Sequence, residues 1–186
     1  MKWTRRRLLR AAGSAAGIAA AGLLARPGQA APAPATAAVK RVAFHNLHTD
    51  ERLEVEYFRG GDYVPASLDA IRVVLRDFRN NRQHAIDPSL LDYLHGLSQR
   101  LGVDPAFSVI SGYRSPETNA LLHERSSGVA VRSLHLEGRA IDVRVAGVDC
   151  ANLAAGALTM ARGGVGYYRQ SDFVHLDTGA FRTWKG

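Results

Sequence analysis

Apolar and polar residues alternate from Arg41 to Phe58. Val42 and Phe44 fall on one face of an extended segment, Thr49-Asp50-Glu51 makes a turn, and Leu53, Val55 and Tyr57 resume the alternation. The pattern predicts a hairpin. The period then changes. Ile71, Val74, Leu75 and Phe78 recur at helical spacing behind Ser67 or Asp69 as a cap, and Asp87-Pro88 opens a second helix striped by Leu90, Leu91, Leu94 and Leu101. Ser115-Pro116-Glu117 opens a third, short helix running to about Glu124. Asp149 caps a fourth that stops at Gly163-Gly164. Short strands are predicted at Phe107 to Ile110, Ala140 to Val145, Val165 to Tyr168 and Phe173 to Asp177. The expected class is α+β, with a small antiparallel sheet and helices packed on it.

The length, 186 residues, suits one domain with an extension. A net charge of +7 invites a nucleic-acid reading, but the charge is unevenly placed. Lys2, Arg5, Arg6, Arg7, Arg10 and Arg26 lie in residues 1–30 with no acidic residue, which leaves 18 basic against 17 acidic side chains beyond them. A nucleic-acid footprint needs a basic patch on the folded body, so no nucleic-acid partner is expected. Basic residues, an uncharged stretch from Ala11 to Ala25, and Gly28-Gln29-Ala30 follow one another in the order of an export signal over residues 1–30. The uncharged stretch is short for a spanning helix, which needs about 20 residues. Thr4-Arg5-Arg6-Arg7-Leu8-Leu9-Arg10 resembles the twin-arginine signal, implying export machinery as a partner and a periplasmic destination. The leader is expected to be cleaved after Ala30; retained, it would be the only membrane attachment. Residues 31–40 read as a Pro/Ala linker and 41–186 as the folded domain. Cys150 is the only cysteine and reads as a small buried side chain near a helix start rather than a nucleophile.

Candidate chemistry gathers in three segments: Ser111 to Ser115, Ser133 to Asp142, and Asp172 to Asp177. On a strand from Ala140 to Val145, Ile141, Val143 and Val145 face the core while Asp142 faces the other way. His135 lies across a Gly138-containing bend, long enough to return an imidazole to that carboxylate. On the last predicted strand Phe173, His175 and Asp177 share a face. If the two strands pair, His175 meets Asp142, and two imidazoles with one carboxylate suit a catalytic zinc site. Spacing alone is a weak signal, and His45, His48, His84, His95 and His123 read as surface or structural groups. His123-Glu124 begins like a zinc-protease helix motif, but Ser127 stands where the second histidine belongs.

The run Ser133-x-His135-x-x-Gly138-x-Ala140-x-Asp142 resembles the zinc signature of the D-alanyl-D-alanine and L-alanyl-D-glutamate metallopeptidases, which share a fold with the Hedgehog N-terminal domain. Asp172-Phe173-Val174-His175 resembles their final D/E-x-x-H. NLHTDE (Asn46 to Glu51), SGYRSPETN (Ser111 to Asn119), GGVGYY (Gly163 to Tyr168) and FVHLDTG (Phe173 to Gly179) are more specifically similar to the murein endopeptidase K branch, from about residue 41 to the C-terminus. The resemblance implies a Hedgehog/DD-peptidase-like fold and one Zn2+ per chain on His135, Asp142 and His175. It also implies peptidoglycan peptide as substrate. Asp172 would be the general base, although it lies an odd number of residues from His175 and must precede the strand. Asp177 is the alternative base, or a hydrogen-bonding support for a ligating imidazole. Arg114 would hold a substrate carboxylate or an oxyanion, and Ser133 and Tyr113 are candidate substrate contacts.

A second reading is a non-catalytic zinc domain that binds wall peptide or a partner protein. A serine or cysteine hydrolase is not supported, since no G-x-S-x-G elbow is present. Which cross-link is cut, and whether the action is endo- or carboxypeptidic, stay open at this level.

Overall fold

The computed structural model describes residues 38–103, 106–125 and 130–186. The predicted leader and residues 31–37 of the linker lie outside the described residues. Strand β1 (Val39–Asn46) starts at the end of that linker and pairs with β2 (Arg52–Arg59) in the predicted hairpin. Asn46 shapes the turn. Its side-chain oxygen accepts from the amides of His48 and Thr49, at 3.0 and 3.3 Å. A two-residue strand β3 (Asp62–Tyr63) follows at the edge, then helix α1 (Pro65–Val74).

Helix α1 departs from the expected bounds at both ends. It begins at Pro65, whose fixed φ and missing N–H suit a first helical position, so Ser67 and Asp69 lie inside the helix. Ser67 instead donates to the Glu56 carbonyl, 2.7 Å away. The helix stops before Phe78 because tertiary partners take its last carbonyls. The Asn46 amide donates to Val74 O at 2.9 Å and the Tyr113 N–H to Leu75 O at 2.8 Å. Phe78, freed from the helix, stacks on His48 with centroids 3.8 Å apart.

Helix α2 (Pro88–Leu101) is opened by Asp87, whose side chain accepts from Ser89 N at 2.9 Å, and closed by Gly102 in the left-handed region. Strand β4 (Ala106–Ser111) and helix α3 (Pro116–Arg125) come next. A 3₁₀ turn (Leu134–Glu137) then leads into β5 (Ala140–Val145). Helix α4 (Cys150–Met160) is capped by Asp149, and β6 (Gly164–Tyr168), β7 (Phe173–Asp177) and β8 (Arg182–Lys185) complete the chain.

Among the described residues these strands form one eight-stranded sheet in the order β3-β2-β1-β4-β5-β7-β6-β8. The sheet is mixed, which corrects the antiparallel expectation. β1 lies parallel to β4 and β6 parallel to β8. The second pair follows from connectivity. β7 turns back beside β6, so β8, returning on the free edge of β6, must run with it. β8 was not predicted because its residues are mostly exposed and lack an apolar alternation.

One sheet face carries the core. Val42, Phe44, Phe107, Val109, Ile141, Val143, Val174 and Leu176 join Leu90, Leu91, Leu94 and Leu97 of α2 and Leu153 and Ala157 of α4 in a single buried cluster. With α4 packed on β5, β6 and β7, the alternate residues of β5 and β7 face away from the helices. That second face carries the polar site.

Candidate metal centre

β5 and β7 are antiparallel neighbours in a register that places Asp142 directly opposite His175. Their neighbours Ile141 and Leu176 pair on the core face, so the two polar side chains share the other. His135 arrives from the 3₁₀ turn. Ser133 caps that turn, its hydroxyl accepting from His135 N, and Gly138 ends it at φ +64°. A side chain at Gly138 would also run into the Ala85 carbonyl, with a Cβ only 2.1 Å from that oxygen, so the bend between His135 and Asp142 requires glycine. The turn is pinned from the far side by Arg114 N–H donating to His135 O at 3.1 Å.

The three side chains converge. His135 Nε2 lies 3.3 Å from Asp142 Oδ1 and 3.2 Å from His175 Nδ1, and His175 Nδ1 lies 2.8 Å from Asp142 Oδ1. The far nitrogens decide what these atoms present. His135 Nδ1 faces the Gly112 carbonyl at 2.7 Å. A carbonyl only accepts, so Nδ1 carries hydrogen and Nε2 points its lone pair at the cluster. His175 Nε2 faces Asp177 Oδ2 at 3.0 Å, which turns the Nδ1 lone pair inward in the same way. Two imidazole lone pairs and a carboxylate oxygen therefore crowd one point, an arrangement that demands positive charge among them. Burial alone would raise the Asp142 carboxyl, but the two imidazoles outweigh it and hold Asp142 well below the usual carboxylate range. Burial lowers His135. In His175 burial works against the proton, yet hydrogen bonds to Asp142 and Asp177 raise it to about 9, an expression of the same demand for a cation. Two nitrogens and one oxygen also form the donor set of a catalytic zinc site with one position left open. Among the described residues this is the one group of three or more such donors close enough to share an ion.

Asp177 supports the arrangement from behind. It is fully buried, and its Oδ1 accepts from Gly164 N at 2.9 Å, Gly179 N at 2.8 Å and Arg182 Nη1 at 3.0 Å. Its Oδ2 accepts from His175 and from Arg182 Nη2 at 2.6 Å. Burial opposes its charge, but these donors keep it anionic, below the usual range. With its oxygens filled it has no free lone pair for a substrate proton, so its geometry is that of a brace on His175.

Arg114 is 9% exposed and poorly satisfied. Its Nη2 lies 3.6 Å from Asp142 Oδ2, its contacts to Ser111 and Asn119 are 3.4 Å long, and its Nε has no partner among the described residues. A buried guanidinium with unused donors beside the cluster is suited to an anionic or strongly polarised oxygen. The cluster, Arg114 and Ser133 line a cavity of about 460 Å³, whose other walls include Arg132, Tyr168, Phe173, Arg182 and Trp184.

Asp172 stands elsewhere. It precedes β7, as its spacing required, at φ +50°. Arg144 holds its backbone carbonyl and lies 3.7 Å from its carboxylate, which is largely exposed. Asp172 lines a neighbouring cavity with Cys150 rather than that of the cluster. Tyr113 is also absent from the cluster's cavity; it is buried, with its ring stacked on His84 at 5.0 Å. Cys150 is buried, and burial pushes its thiol up to about 11, which fits the inert role expected of it. Of the remaining histidines, His45 pairs with Asp50 and His95 meets the Arg41 carbonyl, both away from the cavity. Sequence reasoning missed Arg182 and Trp184. Their two-residue spacing behind FVHLDTG was the available signal.

Comparison with known proteins bears on the same segments. Residues 34–184 match the family model described as peptidoglycan L,D-endopeptidase MepK. The chain is 43% identical over 156 residues to the peptidoglycan L,D-endopeptidase MepK of Escherichia coli K12, a match covering 82% of this chain and 86% of that protein. It is 42% identical over 146 residues to a probable peptidoglycan L,D-endopeptidase MepK of Haemophilus influenzae, covering 78% of each. No solved structure matches the chain. A matching family model over most of the chain, and identity above 40% to relatives covered over more than three quarters of their length, show that this chain belongs to the peptidoglycan L,D-endopeptidase MepK family of peptidases.

Proposed function

We propose that the chain is a zinc-dependent endopeptidase that hydrolyses peptide cross-links of peptidoglycan at an L,D bond, the bond specified in the names of its relatives. The observation that carries this reading is the convergence of three inward-facing donor atoms beside a buried, under-satisfied arginine. His135 Nε2, Asp142 Oδ1 and His175 Nδ1 would hold the ion. Zinc in such a site supplies the Lewis acidity that makes water nucleophilic near neutral pH. The protein's part is to keep both imidazoles in the right tautomer through Gly112 O and Asp177. Arg114 would bind the negative end of the substrate or the charge that grows on the scissile carbonyl oxygen. Residues 1–30 would deliver the chain to the periplasm by the twin-arginine route.

Asp172 serves as the proton acceptor in this reading only by leaving Arg144 and swinging across the strand edge. Zinc-loaded Asp172→Ala then keeps its metal and loses cleavage, and full turnover in that variant removes Asp172 from the mechanism. The orientation of Asp172 favours one competitor, a zinc domain that binds wall peptide without cutting it. Digestion of purified peptidoglycan followed by chromatography of the fragments separates the two. The peptidase reading predicts loss of cross-linked dimers that a chelator stops and added zinc restores. Unchanged cross-linking with zinc-loaded protein that still sediments with the wall material selects the binding domain.

A further inference from the structure

Tyr168 ends β6 on the same face as His175, because Gly166 stands opposite His175 and side chains repeat every two residues along a strand. Its ring lies flat against Phe173, with centroids 4.5 Å apart and planes at 14°, which fixes where the phenolic oxygen emerges. That oxygen accepts a hydrogen bond from Trp184 Nε1 at 3.0 Å. An indole N–H can only donate, so this bond occupies a lone pair of the phenol and leaves the phenolic proton unspent. Among the described residues no acceptor takes that proton. Trp184 also stands beside the His175 ring, centroids 5.1 Å apart, so the hydroxyl is one indole away from the donor cluster. Tyr168, Trp184, His175 and Arg114 line one cavity. The arrangement depends on Gly166, where a Cβ would come within 2.5 Å of the indole.

We propose that Tyr168 is a catalytic residue that donates a hydrogen bond to the carbonyl oxygen of the scissile peptide as negative charge builds there, and that Trp184 is the positioning residue that aims this donor. The inference rests on the peptidase reading. Water adds its oxygen to the carbonyl carbon and the C=O electron pair moves onto the carbonyl oxygen, where the phenolic O–H meets it. Tyr168 keeps its proton throughout. The pair returns as the C–N bond breaks, and the leaving nitrogen takes a proton that came from the water. A donor already aimed at the developing charge, with no reorganisation needed during reaction, is the kind that lowers the barrier most.

The test uses the zinc-loaded full chain, a purified cross-linked muropeptide dimer, and the variants Tyr168→Phe, Trp184→Phe and the pair combined. Tyr168→Phe keeps the ring and is expected to lower kcat by about 10²-fold, with KM, zinc content and the urea midpoint unchanged. Trp184→Phe removes the N–H donor together with one ring of the indole and is expected to lower kcat by a smaller factor. Combined with Tyr168→Phe it adds nothing, because the indole acts through the hydroxyl. A Tyr168→Phe enzyme with kcat within about twofold of the parent, far below the loss expected for such a donor, overturns the proposal. So does an effect confined to KM, or a Trp184→Phe loss as large without the hydroxyl as with it. Absence of cleavage by the parent chain overturns the peptidase reading itself, which does not depend on Tyr168.

Discussion

The bond at one nitrogen of an imidazole decides what the other nitrogen can do, and both histidines of the cluster are governed in this way. Asp177 is the residue on which the inward aim of His175 depends. Asp177→Asn would set an amide N–H against donors that now meet a carboxylate, on either His175 or Arg182. Zinc affinity measured by chelator competition should then fall about 10- to 100-fold, the usual scale for such supporting bonds. Unchanged affinity would mean that His175 is oriented by its strand alone. The residue scale was also where the sequence was most legible. Alternation put His175 and Asp177 on one face of their strand and Asp142 on the face of its own strand away from the core, and the pairing of the two strands in the structure joins them. The same parity flagged Asp172 as awkward, and the structure places its carboxylate with Arg144. Tyr113 was not readable. Its neighbour Arg114 lines the cavity while Tyr113 is buried against His84, and nothing local in Ser111 to Ser115 distinguishes the two directions.

At the scale of elements, the departures from expectation lie where tertiary partners replace local ones. Helix α1 ends early because Asn46 and Tyr113 claim its last carbonyls, and neither residue is near it in sequence. Asp77, just beyond that end, is almost fully buried and ties the following loop to the start of α3. Its carboxylate accepts from Ser115 N at 3.0 Å and Arg79 N at 3.1 Å. Burial would raise its pKa, but hydrogen bonds from Thr118 and Ser115 outweigh that and lower it. A lowered folded-state pKa stabilises above the ordinary carboxylate value, and the stabilisation is lost as pH falls through the folded value. Asp77→Asn should cost about 1–3 kcal/mol in urea unfolding at pH 7. The gap to the parent should shrink below about pH 4, where the unfolded chain's carboxyl takes up a proton that the folded one resists. A gap that stays constant down to pH 3 would contradict this account. Strand β8 is the other such element. Its Trp184 and Arg182 lie over the glycines of β6 and touch His175 and Asp177 of β7, so GGVGYY reads as a gap made for side chains from elsewhere. Gly166→Ala should cost about 1–3 kcal/mol in the same assay through the Cβ that meets the indole. A neutral result would mean that β8 shifts freely.

For the molecule as a whole, the helices were legible from period, α2 and α4 also from their caps, and the α+β class followed from them together with the predicted strands. The mixed sheet was not, since β1 lies parallel to β4 and the direction of β8 is set by β7 lying between β6 and β5 rather than by any residue of β8. The uneven charge belongs to this scale too. Six of the 24 basic residues precede residue 31, where they read as an address rather than a binding surface. Replacing Arg5 and Arg6 together by Lys keeps the charge. If the twin-arginine route is used, this should leave the protein in the cytoplasm when cells are fractionated and the chain is detected by immunoblot; undiminished export would point to a different route.

The proposed function rests on one ion held by side chains from a turn and two strands. Zinc stoichiometry of the purified chain, set beside folded His175→Ala, tests that most directly. The account predicts one zinc per parent chain and essentially none in the variant. A parent chain that cleaves peptidoglycan without metal, or a His175→Ala protein that keeps its full zinc, would contradict it.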